Sequence, residues 1–202
     1  MLEFTLENQL HDAGYKLICG TDEAGRGCLC GPVFAAAVIL PSDYRNEKLD
    51  DSKKISEKVR EQLFEEICAR AISFGIAEAS VEEIDEINIL NAALLAMRRA
   101  VAKLSPPADF VLIDGNVSRG FETLNRTVVH GDAISPSIAA ASILAKVSRD
   151  RRLYQLDEVY PQYALAKHKG YCTKLHRERL LQYGPCEIYR KSFLKKILVP
   201  NK

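Results

Sequence analysis

Two adjacent carboxylates, Asp22 and Glu23, stand directly before the glycine-rich stretch Gly25-Arg26-Gly27. Upstream, residues 15–19 form an apolar run typical of a strand, so the acids are expected where that strand ends. Neighbouring side chains in a strand point to opposite faces, so the two acids can share one site only if the chain bends or bulges, which the glycines permit. Paired carboxylates with no lysine of their own repel each other unless a cation neutralises them. The stretch predicts a site for a hard divalent metal, and the alternative is an acidic strand end before an ordinary turn.

Two further acids recur at junctions between predicted elements. Asp114 closes the apolar run 110–113, and Asp132 lies between a short strand and a capped helix. Open sheets place their sites at strand ends, although an acid at a turn is common on its own. Carboxylate oxygens select magnesium or manganese over zinc, and two such ions about 4 Å apart activate a water and stabilise the leaving oxygen of a phosphodiester. The sequence lacks a GxxxxGK[ST] loop, which argues against a nucleoside triphosphatase.

The charge of the chain is divided unevenly, although the net charge is only +1. Residues 1–145 carry a net charge of −8 and residues 146–202 a net charge of +9. This division favours a polyanionic partner that is bound by the basic C-terminal part and presented to an acidic site, and a solvated charged surface is the alternative. Together with the acids, it indicates metal-assisted phosphodiester hydrolysis.

The 202-residue chain has 47% hydrophobic and 27% charged residues, which suits one folded domain with a small appended subdomain. The six cysteines form no CxxC pair, so reduced thiols are expected rather than a zinc site or disulfides. No apolar run reaches about 18 residues and the N-terminus has no basic leader region, so we expect a cytoplasmic protein without a membrane segment. No apolar stripe is left over for a partner subunit, so a monomer is expected.

Strand and helix patterns alternate after an opening hairpin. The predicted strands are 15–19, 33–40, 73–79, 110–115 and 125–129, and the predicted helices begin after Ser56, Ser80, Ser135-Pro136 and Thr173. This order predicts an α/β fold with a mixed central sheet flanked by helices and a small helical C-terminal extension. We expect a catalytic domain at 1–155 and a basic helical subdomain at 156–202 packed on it.

A series of motifs, in order from about residue 17 to about 194, resembles the type 2 ribonucleases H, also called ribonuclease HII. The matching stretches are Asp22 to Gly27 continuing to Gly31-Pro32-Val33, Asp51 to Lys54, Ile84 to Leu90, Asp114-Gly115, Gly131-Asp132, Ala139 to Val147, Arg149-Asp150, His168 to Tyr171, and Gly184-Pro185. Each motif is modest alone, and the ordered set is specific.

The resemblance implies a ribonuclease H-like fold with Asp22, Glu23, Asp114 and Asp132 as catalytic, metal-binding carboxylates for Mg²⁺ or Mn²⁺, two ions when substrate is bound. It implies an endonuclease that cleaves the RNA strand of RNA–DNA hybrids and nicks 5′ of single ribonucleotides in duplex DNA, leaving 3′-hydroxyl and 5′-phosphate ends. The backbone of Gly25, Arg26 and Gly27 would read the ribose 2′-hydroxyl, and Tyr171 would stack on the adjacent sugar. Lysines would contact phosphates: Lys53, Lys54, Lys146, Lys169 and Lys174.

Departures from the family pattern are Cys28, His130 and Cys172, none of which removes a carboxylate. Several residues also have simpler interpretations. Arg26 can pair with a neighbouring acid, Tyr171 can be an ordinary half-buried aromatic, and Lys53 and Lys54 can be solvated residues of a charged loop. Asp50 or Asp51 could compete as metal ligands, although their loop position favours a solvated role. We interpret Ala139–Ala141 and Ser142 as packing residues, and His168 and His176 as surface groups of the basic face.

Two other functions remain open at this point. One is another ribonuclease H-like nuclease, an exonuclease or a resolvase, although such exonucleases usually carry Asp-x-Glu on the first strand and here the acids are adjacent. The other is a non-catalytic hybrid-binding module whose acids are structural.

Overall fold

A five-stranded mixed sheet in the order β3-β2-β1-β4-β5 organises the protein in the computed structural model, which describes residues 2–49 and 55–198. The β1–β2 and β2–β3 pairs are antiparallel, and the β1–β4 and β4–β5 pairs are parallel. The strands are β1 (Ile18–Ala24), β2 (Val33–Ile39), β3 (Ser73–Ala79), β4 (Phe110–Asp114) and β5 (Asn125–Val128). The five predicted strands and the α/β class are confirmed.

Seven helices surround the sheet within the described residues. They are α1 (Thr5–Asp12), α2 (Glu57–Arg70), α3 (Val81–Ala102), α4 (Pro136–Val159), α5 (Leu165–His168), α6 (Lys174–Tyr183) and α7 (Lys191–Leu198). The predicted N-caps are confirmed, because Ser56, Ser80, Ser135 and Thr173 each accept a hydrogen bond from a first-turn backbone N–H. Helix α3 kinks at Asn88, whose side chain accepts hydrogen bonds from the N–H groups of Leu90 and Asn91.

The two long helices cover opposite faces of the sheet. Helix α3 packs through Ala92, Ala93, Ala96 and Ala100 on one face, and α4 packs through Ala139 to Ala141, Ile143 and Leu144 on the other. Small side chains allow α4 to approach β1 closely. A Cβ atom placed on Gly20 would lie 2.2 Å from the carbonyl carbon of Ser137. Glycine in β1 is therefore required by the helix behind it.

Strand β1 begins and ends later than predicted. It runs to Ala24, so Asp22 and Glu23 lie within the strand, opposite Ala36 and Ala35 of β2. Over this described length the pairing is regular, and the predicted bend or bulge is wrong. The acids therefore keep the alternation of a strand, and their joint role depends on a third acid from a neighbouring strand.

Three helices, α1, α5 and α7, were not predicted. Helix α1 packs Leu6 and Leu10 against the hydrophobic cluster that includes Ile18. It is also fixed by Glu7, which accepts hydrogen bonds from the Ser135 hydroxyl (2.6 Å) and the Ser137 N–H (3.2 Å) at the start of α4. A carboxylate in this position also stabilises the positive end of the helix dipole. Such long-range partners leave no local signal in the sequence.

The C-terminal helices form a hydrophobic cluster of their own with the segment that follows the glycine turn. Leu29 and Cys30 pack there with Leu153, Tyr163, Leu165, Leu180, Ile188, Tyr189 and Leu194. The division at residue 155 stays a prediction, and that residue lies inside α4. None of the helices in the described ranges is long and apolar enough to span a membrane.

We predict that Gly20→Ala lowers the free energy of unfolding by about 2 kcal/mol or more, because the added methyl group collides with the α4 backbone, which cannot move cheaply. Urea denaturation measures the change. Gly27→Ala is the matched control, since its Cβ would meet no described atom within 4 Å. Equal stability of the two variants would contradict the close packing of α4 on β1.

Candidate active site

Asp22 and Asp114 come together because β1 and β4 are adjacent and parallel. The recorded pairing ends with Thr21 beside Ile113, so the two acids are the next residues on neighbouring strands. Asp22 is buried on the α4 face, where it accepts hydrogen bonds from the Ser142 hydroxyl and the Glu23 N–H. Ser142, interpreted from sequence as packing, therefore contacts a candidate catalytic acid directly.

Glu23 lies on the opposite face of β1 and still interacts with Asp114. The two acids line one small cavity of about 30 Å³ together with Arg26, Gly115 and Asn116. Arg26 donates to the Glu23 carboxylate at 3.0 Å. The simpler interpretation of Arg26 as the partner of a neighbouring acid is thus observed in this structure.

The electrostatics of these acids show an excess of negative charge. Burial raises the pKa of Asp22 well above its usual value, and the charges of Glu23 and Asp114 raise it further. Burial also raises the pKa of Glu23, which Arg26 lowers and Asp114 raises. All the donor atoms are carboxylate oxygens. A divalent cation among them would offset the repulsion, so the residues fit a magnesium or manganese ion.

Asp132 is placed near the other acids by a backbone hydrogen bond of its neighbour Gly131. It lies, buried, on the 3₁₀ turn Gly131–Ala133 after β5, and the N–H of Gly131 donates to Asp114 Oδ1 at 2.7 Å. A Cβ on Gly131 would come within 2.5 Å of Ile138, so glycine lets this turn dock against Asp114 and α4. The four predicted acids thus belong to one region of the sheet edge.

The acids do not form a ready-made ligand set. Among residues 2–49 and 55–198, no group of three or more His, Cys, Asp or Glu side chains is arranged to hold a metal ion. Three of the acids each accept a hydrogen bond, Asp22 from Ser142, Glu23 from Arg26 and Asp114 from the Gly131 N–H. A carboxylate that accepts one hydrogen bond keeps other lone pairs for a cation.

Arg190 fixes the glycine turn, and sequence reasoning missed it. This fully buried side chain donates to the carbonyl oxygens of Arg26 (3.0 Å), Cys28 (2.8 Å) and Gly31 (2.9 Å). Burial lowers the pKa of Arg190 to about 10, so it stays charged at neutral pH. The sequence around it, Ile-Tyr-Arg-Lys-Ser-Phe-Leu at 188–194, mixes apolar and polar residues and gives no local signal that this arginine is buried.

Tyr171 lies beside the same turn. The backbone of Tyr171 forms an isolated antiparallel β-bridge with Cys28, and the N–H of Leu29 donates a hydrogen bond to the Gly170 carbonyl at 2.9 Å. The backbone after the glycine turn and the Tyr171 loop are therefore held in one register, while 44% of Tyr171 remains exposed. A partly exposed aromatic ring held beside the glycine turn suits contact with a sugar or a base.

Comparison with known proteins identifies the family to which this chain belongs. A family model described as ribonuclease HII matches residues 19–196. The chain belongs to the ribonuclease HII family. It is 52% identical to ribonuclease HII of Caldicellulosiruptor saccharolyticus over 195 residues, covering 96% of this chain and 95% of that protein.

Solved structures agree with the fold of this ribonuclease HII. The crystal structure of ribonuclease H2 from Pyrococcus horikoshii superposes with a TM-score of 0.74 at 24% identity, covering 90% of this chain and 97% of that one. The PCNA:RNase HII complex from Archaeoglobus fulgidus gives a TM-score of 0.74 at 26% identity, covering 87% and 94%. As a member of this family the chain is an endonuclease with ribonuclease H activity on RNA–DNA hybrids.

The predicted phosphate-contacting lysines of this ribonuclease HII differ in their surroundings. Lys146 pairs with Asp150 at 2.7 Å, and its Nζ lies 5.7 Å from the centre of the Tyr171 ring. Lys169 Nζ lies 3.4 Å from the centre of the Tyr154 ring. Lys174 is exposed, and its Nζ lies 3.9 Å from the Glu178 carboxylate. Lys53 and Lys54, with Asp50 and Asp51, lie outside the described residues. Lys146 and Lys169 are thus anchored near the Tyr171 loop, and Lys174 is exposed on α6.

His168 and His176 are buried, so their interpretation as surface groups is wrong. Their rings stack with centroids 4.0 Å apart. His168 accepts from the Gly170 N–H and donates to the Tyr163 carbonyl, while His176 donates to the Tyr171 carbonyl at 2.9 Å and accepts from the Tyr189 hydroxyl at 3.0 Å. Each ring uses one nitrogen as donor and the other as acceptor, which requires the neutral form. The pair fixes the backbone on both sides of Tyr171.

We predict that His176 makes this ribonuclease HII less stable in acid. Burial lowers the pKa of His176 from 6.5 to about 4, so the unfolded chain binds the proton first as the pH falls. The stabilisation by neutral His176 is complete above pH 6.5 and is lost between pH 6.5 and 4, on the order of 3 kcal/mol.

Denaturant unfolding of the wild type and His176→Asn across this range measures the difference. The free energy of unfolding of His176→Asn should fall less steeply with decreasing pH than that of the wild type. The control His11→Asn, at an exposed position, should follow the wild type. Parallel curves for His176→Asn and the wild type would contradict the assignment of a neutral, buried imidazole.

Proposed function

We propose that this ribonuclease HII, besides acting on hybrids, nicks duplex DNA on the 5′ side of a single embedded ribonucleotide and leaves 3′-hydroxyl and 5′-phosphate ends. The observation that carries the proposal is the fixed register between the glycine turn and the Tyr171 loop beside four acids. One segment can sense a ribose while the other senses the neighbouring sugar. Recognition of one RNA–DNA step needs both at a set distance.

Asp22, Glu23, Asp114 and Asp132 would hold Mg²⁺ or Mn²⁺, two ions with substrate bound. When bound, such ions supply a nucleophilic water and charge stabilisation at the leaving oxygen. The raised pKa of Asp22 and of Glu23 is consistent with this assignment, because burial and the neighbouring Asp114 charge both disfavour ionised carboxylates that a cation would stabilise. Ser142 orients Asp22, and the Gly131 N–H orients Asp114. These two donors set the acids before substrate arrives.

The ribose 2′-hydroxyl would be read by the backbone of Gly25, Arg26 and Gly27. Gly25 has φ +100°, and a Cβ on Gly27 would face open space among the described residues. An approaching strand therefore meets main chain rather than side chain in this turn. Arg190 keeps the turn rigid by binding the Arg26 and Cys28 carbonyl groups.

Tyr171 would stack on the sugar on the other side of the scissile bond, where deoxyribose fits the ring face. Lys146, Lys169 and Lys174, with Lys53 and Lys54, would contact phosphates without reading sequence, so binding should weaken with salt. A role in removing ribonucleotides from DNA, a cytoplasmic location, a monomeric state and the two-subdomain division complete the proposal.

We predict that the purified protein with Mg²⁺ or Mn²⁺ incises a DNA duplex containing one ribonucleotide and leaves an all-DNA duplex intact. Asp22→Asn should reduce incision on the order of 10³-fold, because it removes a ligand and transition-state charge stabilisation. Binding of the duplex should remain within about threefold, since phosphate contacts provide most of the affinity.

Gel analysis of the end-labelled duplex, together with filter binding, measures both quantities. The control is Asp43→Asn, which changes an exposed acid and should leave incision unchanged. Cleavage of all-RNA or all-DNA duplexes without incision at the ribonucleotide would contradict the proposed substrate. Ordinary turnover by Asp22→Asn would contradict the metal assignment.

A further inference from the structure

Arg149 lies fully buried on α4 beneath both of the segments that are proposed to contact substrate. A Cβ on Gly25 would lie 2.1 Å from Arg149 Nε, and a Cβ on Gly170 would lie 3.1 Å from Nη2. The guanidinium carbon is 5.8 Å from the centre of the Tyr171 ring. One side chain therefore touches the glycine turn, the loop before Tyr171 and the Tyr171 ring.

The guanidinium nitrogens of Arg149 are buried among the described residues without a hydrogen-bond acceptor. Within residues 2–49 and 55–198, nothing accepts a hydrogen bond from Nε, Nη1 or Nη2. The Asp150 carboxylate oxygen is 3.8 Å from Nη1 and pairs more closely with Lys146, at 2.7 Å. Buried charges are normally paired and hydrogen-bonded, so this position is costly for folding.

Arg190 provides the contrast. It is equally buried and lies in the same region, yet its guanidinium donates to the carbonyl oxygens of Gly31, Arg26, Cys28 and Pro32. Arg190 is explained by the backbone it holds. Arg149 is not, because its ion pair with Asp150 is long, at 3.8 Å, and an apolar side chain would occupy much of the same space without the cost of burying a charge.

We infer that Arg149 is a positioning residue that sets the glycine turn and Tyr171 in one geometry for cleavage. Its planar head fills the space left by the absent side chains of Gly25 and Gly170, both of which have left-handed φ values. Its charge, with Lys146 Nζ 5.7 Å from the same ring, orients the face of Tyr171 by cation–π attraction. The inference rests on the proposed role of Tyr171 and the glycine turn.

Arg149→Met tests this inference, because methionine keeps an apolar stem in the buried position and removes the charged, planar head that contacts both segments. The melting temperature should stay equal or rise, while kcat for the embedded ribonucleotide falls by about tenfold or more and KM stays within about threefold. Amide hydrogen exchange of residues 25–28 and 168–173 should accelerate in the free protein. Arg149→Lys, which keeps the charge, should recover part of kcat.

Arg151→Met is the matched control, since exposed Arg151 lies on the same helix and pairs with Glu61 and Glu65. It should leave kcat and exchange unchanged. A lower melting temperature for Arg149→Met, with unchanged kcat in the folded fraction, would show a merely structural role and overturn the inference. So would unchanged exchange in both segments.

The exchange measurement also separates this inference from the proposed function. If wild-type protein fails to incise the embedded ribonucleotide, the proposed substrate is wrong. Faster exchange of both segments in Arg149→Met still supports the coupling, because that readout needs no substrate. If the wild type incises normally and Arg149→Met changes neither kcat nor exchange, the inference alone fails.

Discussion

The gathering of negative charge where β1 lies beside β4 is the constraint on which the rest of the site depends. Asp22 and Asp114 follow the last paired residues of two parallel strands, and Glu23 points to the other face of the same sheet edge. Burial and mutual repulsion raise the pKa of Asp22 and Glu23. The fold tolerates this through local donors, which are the Ser142 hydroxyl, the Gly131 N–H and the Arg26 guanidinium. The excess of negative charge suits a site for a divalent cation.

Residues of the C-terminal half fix the backbone of the segments next to these acids. Arg190 reaches back to the carbonyl groups of the glycine turn, and the stacked neutral imidazoles of His168 and His176 fix the backbone of the Tyr171 loop. The bridge between Cys28 and Tyr171 joins the two segments. The C-terminal part of the chain thus fixes the backbone of the glycine turn that directly follows the two acids of β1. The uneven charge distribution along the sequence follows the same division.

Local patterns in the sequence were enough to predict the five strands, the caps of the long helices and the four acids, because each depends on periodicity, on turn chemistry or on a motif at a junction. The surroundings of those residues were not predictable. Burial of His168 and His176, the contact of Ser142 with Asp22, and the carbonyl groups held by Arg190 all arise from residues far apart in the chain. Helix α1 was missed for the same reason, since its Glu7 partners are 128 and 130 positions away. The expected bulge at Asp22 and Glu23 was wrong because a neighbouring strand, rather than a bend, supplies the acid that meets both.

The most direct measurement of the central claim is anomalous diffraction from Mn²⁺ in crystals of the protein with a non-hydrolysable duplex that contains one ribonucleotide. Convergence of the four acids on divalent ions predicts anomalous peaks about 2.1 Å from carboxylate oxygens of Asp22 and Asp114, beside the scissile phosphate. The account would be contradicted by anomalous peaks found only at other places on the protein or the duplex, with the hydrogen bonds from Ser142 to Asp22 and from the Gly131 N–H to Asp114 unchanged.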